Sequence, residues 1–168
     1  MAAPTVTWYP VTDNSGSPQK GSAITVLDFG NVQAGYWSDV KAIVATFTGN
    51  SANTLKFWLN DTSATGGNTN VSQSAPSPWK HQISIDDDWW DPDDPQITDS
   101  VKAGTSSNPL GEDFQAIDES EPSSSNFITT SVNDGDDTDY IYLCLQPPSD
   151  SGDGITENWG YRISYLFP

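Results

Sequence analysis

The stretch richest in groups that could do chemistry is Asp86-Asp87-Asp88-Trp89-Trp90-Asp91-Pro92-Asp93-Asp94-Pro95, in which six carboxylates surround two tryptophans. Three uses fit such a segment. Carboxylate oxygens are hard ligands that a loop can wrap around Ca²⁺, although the spacing is not that of an EF-hand. Adjacent indoles in a polar loop also suit an interface, because tryptophan dominates binding hot spots; Trp89, Trp90 and Asp91 are the candidate contacts. The third use is a solvated acidic loop with one indole tucked under it. A second acidic run, Asn133-Asp134-Gly135-Asp136-Asp137-Thr138-Asp139, offers Asp134, Asp136 and Asp139 as Ca²⁺ ligands. The competing reading is a turn made by Asx side chains bonding their own backbone. Apart from this possible calcium ion, no cofactor is expected.

Other reactive groups are few. His81 and Cys144 are the sole histidine and cysteine. His81 alternates onto the face of Trp79 and Ile83, which reads as core or interface, and Cys144 falls in mid-strand, which reads as a buried thiol. There is no nucleophile elbow, phosphate loop or His/Cys metal cluster. Carboxylates are plentiful enough for a glycosidase pair, but no spacing singles out a pair, and the expectation is a protein that is not an enzyme. Tyr140 with Tyr142, or Trp159 with Tyr161 and Tyr165, would form a sugar-stacking platform if exposed and core if not.

The charge balance narrows the partners. With 23 Asp and Glu against 6 Lys and Arg, the formal charge is −17. Nucleic acid is excluded, since its binding rests on neutralising phosphates with cations, and anionic membrane surfaces are excluded by the same physics. No apolar run approaches the roughly 20 residues of a membrane helix. The Met1–Thr5 start has neither a basic nor an apolar leader region, so synthesis and assembly in the cytoplasm are expected. One cysteine allows no intrachain disulfide.

What must position these groups is a set of β-strands. Period-2 alternation marks Thr54–Leu59, Trp79–Ile85, Tyr140–Gln146 and Trp159–Phe167 as half-buried strands. Ala23–Phe29 and Val40–Thr48 are rich in β-branched residues, and Val6–Tyr9 and Phe127–Thr130 are shorter candidates. All 12 prolines fall outside these strand interiors. One helical turn is expected near Asp113–Ile117. About eight strands separated by Gly, Pro, Asn, Asp and Ser predict an all-β fold: one antiparallel β-sandwich domain spanning residues 1–168, with long acidic loops. The longest, residues 86–126, is an insertion holding 12 of the 23 acidic residues. It is either a functional loop or an arm that orders against a neighbour.

The segment Ile24–Asp61 carries a resemblance. Asp28-Phe29-Gly30 closes a strand and Asn31-Val32-Gln33-Ala34-Gly35 follows, then a Lys-containing hydrophobic strand, an Asn-rich turn and Leu55-Lys56-Phe57-Trp58-Leu59. This resembles the opening of immunoglobulin-like sandwich modules, in which the first strand and its turn introduce the pair that closes the sandwich; a jelly-roll-like arrangement is the other form of the same class. With the aromatic strand at the chain's end, it is similar to virion structural proteins of tailed bacteriophages. The resemblance implies a capsid decoration or cement protein on the outer surface of the virion, partnered by the major capsid protein or other virion proteins. A neck or tail-surface position is the alternative, as is a carbohydrate-binding, Ca²⁺-dependent module. Self-association as a homodimer or homotrimer suits a symmetric particle.

Overall fold

The structure, a computed structural model, describes residues 2–13, 17–60, 80–86, 115–117, 129–150 and 160–168. These form nine strands: β1 (Thr5–Asp13), β2 (Pro18–Lys20), β3 (Lys41–Thr48), β4 (Ala52–Asn60), β5 (Lys80–Asp86), β6 (Gln115–Ile117), β7 (Thr129–Val132), β8 (Tyr140–Gln146) and β9 (Gly160–Leu166). Two antiparallel sheets result, one ordered β2-β1-β3-β8-β5-β6 and one ordered β7-β4-β9. The protein is therefore an all-β sandwich, as its alternation predicts.

The sheets share one core. Ile43, Ala45 and Phe47 of β3, Ile83 of β5 and Ile141, Leu143 and Leu145 of β8 meet Ala52, Leu55 and Phe57 of β4 and Val132 of β7. Tyr161, Ile163 and Tyr165 of β9 pack against this cluster from the smaller sheet. β3 and β8 lie at the centre of the large sheet, where interleaved branched and aromatic side chains exclude water from both faces.

Several local expectations are corrected. Ala23–Phe29 is not a strand: Ile24 makes a single bridge to Trp8, and the chain then runs irregularly to residue 40. Its apolar residues are used as cover instead, with Leu27, Phe29 and Val32 packed on the core and Val26 71% exposed. The opening strand implied by the resemblance is thus absent. The pair that follows, β3 and β4, is no hairpin either, because its members belong to opposite sheets. Gly49, at φ +92°, starts the crossing. A register shift between Asn53 and Lys56 accompanies the left-handed Thr54 at φ +57°, a bulge that re-aims β4.

Pro10 lies inside β1, opposite Ile43. Its carbonyl accepts from Gly21 N at 2.8 Å on the side away from β3. The nitrogen of an extended residue points the same way as its carbonyl, so the missing N–H subtracts nothing from the β1–β3 ladder. Residues 115–117 form strand β6 rather than a helical turn, pairing with His81–Ile83 of β5. The three-residue β2 and β6 are too short to leave a sequence pattern.

Candidate functional site

The acidic run 133–139 is a structural arch between β7 and β8. Phe47 N donates to Asp136 O at 3.1 Å, Gly135 N to Phe47 O at 2.7 Å and Thr138 N to Ala45 O at 2.9 Å, so the arch extends the pairing of β3 beyond the reach of β8. The Thr138 hydroxyl accepts from Ala45 N at 3.1 Å. Asp134 accepts from Gly49 N at 2.7 Å, and Asp136 accepts from the Asn133 side chain at 3.0 Å. Asp137 receives Lys20 Nζ at 2.7 and 2.8 Å on its two oxygens and also meets the Thr46 hydroxyl. Lys20 in turn lies 4.5 Å over the Tyr9 ring. The sequence-predicted Asp134, Asp136 and Asp139 thus share one arch, where Asp134 and Asp136 bond different partners. Among the described residues no three Asp, Glu, His or Cys side chains are grouped to hold a metal. Trp89, Trp90 and Asp91 lie outside the described residues.

Asp137 sits about a third exposed, so its ion pair is screened by solvent. Asp137→Ala is expected to cost under about 1 kcal/mol, with a wild-type-to-mutant gap that narrows as salt is raised. Paired urea melts at low and high salt check this.

The groups with reactive potential are sealed inward. His81 is 1% exposed, and its Nδ1 hydrogen-bonds the Tyr161 hydroxyl over 3.3 Å. Burial disfavours the imidazolium and lowers the His81 pKa to about 3. Burial pushes the Cys144 thiol far up, and its Sγ faces Gln82 Oε1 at 3.7 Å. The Tyr161 hydroxyl is raised by burial, with Cys144 adding to the shift. All three groups are held in their neutral forms at pH 7.

Among the described residues neither proposed sugar platform is exposed. Tyr142 is fully buried, because Trp37 covers it and Cys144 on the outer face of the large sheet. The segment carrying Trp37 follows β8 closely: Ser38 N donates to Leu145 O at 2.8 Å and Gly35 N to Pro147 O at 3.0 Å. The Gln146 side chain donates to Gly35 O at 2.8 Å. Gly35 has φ +77°, and an added Cβ would meet Ser149 Cβ at 3.3 Å. Gly35→Ala is therefore expected to lose about 1–2 kcal/mol, read as a lower thermal midpoint. In the other platform Tyr161 and Tyr165 turn inward, Tyr161 stacking on Phe57 and Tyr165 meeting Phe47 edge-on. Trp159 lies outside the described residues.

The site that sequence reasoning missed is the outer face of the small sheet. Leu55 and Phe57 point into the core, so Lys56 and Trp58 point out, and on β9 Arg162, Ser164 and Leu166 do the same. Register sets Trp58 directly opposite Arg162, and Lys56 opposite Ser164. Trp58 is half-buried, Arg162 exposed and Leu166 62% exposed. No Asp or Glu occurs in β4, β7 or β9. Five of the six Lys and Arg lie in described strands, whereas Asp13 and Asp86 are the only acidic residues that do. Among the described residues charge is therefore segregated, with the cations on the sheets and most carboxylates between the strands. Among the described residues no helix is long and apolar enough to cross a membrane. No protein-family description matches the chain, and comparison with curated proteins and with solved structures likewise finds no match.

Proposed function

We propose that this protein is a non-enzymatic structural component of a tailed-bacteriophage virion, a decoration or cement protein on the outer capsid surface. It would be assembled in the host cytoplasm, with the major capsid protein as its principal partner. A neck or tail-surface position would use the same properties. The observation that carries the reading is the division between interior and loops. The histidine and the cysteine are locked in neutral form inside a tightly packed sandwich. The described acidic arch bonds sheet backbone and one lysine instead of converging on a ligand. Such a body acts by presenting surface, and its strong negative charge keeps free copies soluble before they dock. Many copies on a symmetric lattice convert modest single contacts into firm attachment. The virion setting is suggested by the sequence likeness over Ile24–Asp61, a segment that does not fold as the strand and pair this likeness implies.

The test is the protein's location. Gradient-purified particles should contain it in a fixed ratio to the major capsid protein, and gold-labelled antibody should mark the outer surface of intact particles. Recovery only in the soluble fraction, with none on particles, overturns the proposal.

A further inference from the structure

We propose that the outer face of the β7-β4-β9 sheet is a binding site for acidic polysaccharide, where the Trp58 indole stacks on a uronic acid ring and Arg162 grips that sugar's carboxylate. The two side chains are directly opposed across β4 and β9, which sets their Cβ atoms about 5 Å apart. Among the described residues no ring stacks on Trp58, and no carboxylate or hydrogen-bond acceptor engages the Arg162 guanidinium. Nor does that guanidinium lie over the indole beside it. An open ring face next to an open fork matches a carboxylated pyranose. The sugar's C–H groups carry slight positive charge and lie flat on the negative face of the indole. Its planar carboxylate takes two parallel N–H bonds from the guanidinium, a geometry that lysine cannot offer.

Charge and size choose this ligand over larger ones. Lys56 shares the face, opposite Ser164, and the three strands carry no carboxylate, so the complementary occupant is an anion. The strands hold 9, 4 and 7 residues, and at a rise of about 3.4 Å and a spacing of about 4.8 Å they cover roughly 330 Å². That is under half of the about 800 Å² that a partner protein takes. A nucleic acid would need a tract of cations against its phosphates, whereas one carboxylated ring needs one fork. Ser164 follows Arg162 on the same face of β9 and adds a hydroxyl for those of the sugar. The inference stands apart from the virion reading, because such a site would bind sugar wherever the protein resides.

Titration calorimetry on the full chain tests the proposal at physiological salt, which screens the long-range repulsion between an anion and a chain of charge −17. The probes are oligogalacturonate, oligomannuronate, the methyl ester of oligogalacturonate, and polyglutamate. At least one of the two uronates should bind, and the ester and polyglutamate should bind at least about tenfold more weakly. Trp58→Ala and Arg162→Gln should each weaken uronate binding at least about tenfold, and Arg162→Lys, which keeps the charge but not the fork, at least about threefold. Lys80→Gln removes a cation at an exposed position on the other sheet and should change binding by less than about twofold. Circular dichroism melts confirm that the variants are folded. Absence of uronate binding at millimolar concentration overturns the inference. Equal binding of the ester or of polyglutamate also overturns it, the latter marking an acidic-peptide site instead, as does equal weakening by Arg162→Gln and Lys80→Gln. None of these results touches the particle-location experiment, so the two proposals fail separately.

Discussion

Phe57→Ala is expected to remove about 3–5 kcal/mol of folding stability, a large part of the roughly 5–15 kcal/mol typical of a domain. Phe57 is 1% exposed, stacks on Tyr161 with ring centroids 5.2 Å apart and meets the Trp8 ring edge-on at 5.7 Å. Truncation therefore loses both the transfer free energy of a phenyl ring and its contacts with two aromatics on different sheets. Guanidinium titration should show a lower midpoint at an unchanged slope. The neighbouring Trp58→Ala, on the opposite face of β4, should cost only about 1 kcal/mol. Equal costs at positions 57 and 58 would mean that the inside and outside of β4 have been assigned wrongly.

The second large effect is a loss of stability on mild acidification, caused by His81. Its pKa is about 3 in the folded state against 6.5 in the unfolded chain. Between these values the unfolded state binds the extra proton. Stability is therefore fully present above pH 6.5 and falls as pH drops toward 3, at up to about 1.4 kcal/mol per pH unit. By pH 5 the loss relative to neutral pH is about 2 kcal/mol. The sole histidine is the side chain whose ordinary titration range covers this window, and the carboxylates take over only at lower pH. Urea midpoints from pH 8 to pH 5 should slope downward in wild type and lie nearly flat in His81→Gln. A flat wild-type profile would show that the imidazole is charged or solvated in the folded protein.

Much of the sandwich was legible because alternation is enforced by burial. Leu55 and Phe57, and Tyr161, Ile163 and Tyr165, had to share a face for either strand to bury anything. The same rule misled at Tyr142. An apolar or aromatic residue at every position from Tyr140 to Leu145 is the mark of a strand covered on both faces, and Trp37 supplies the second cover. At Ala23–Phe29 the composition suits a strand, yet β1 offers that segment only the Trp8 carbonyl, and its apolar residues serve as cover. The Trp58–Arg162 juxtaposition could not be read at all. These residues lie more than a hundred positions apart, and only inter-strand register brings them together. The turn reading of 133–139 was available from its Asx content, but its pairing with Ala45 and Phe47 was not.

The position of β8 bears on how the chain comes to be folded. This strand is seated between β3 and β5 at the middle of the large sheet, and it supplies Ile141, Leu143 and Leu145 to the shared core. The strands before it supply the other core residues, among them Phe47, Leu55 and Phe57, but β3 and β5 have no shared neighbour until β8 lies between them. Closing the large sheet therefore waits on β8, whose pairings with β3 and β5 join residues more than 50 positions apart, and such long-range pairing makes folding slow.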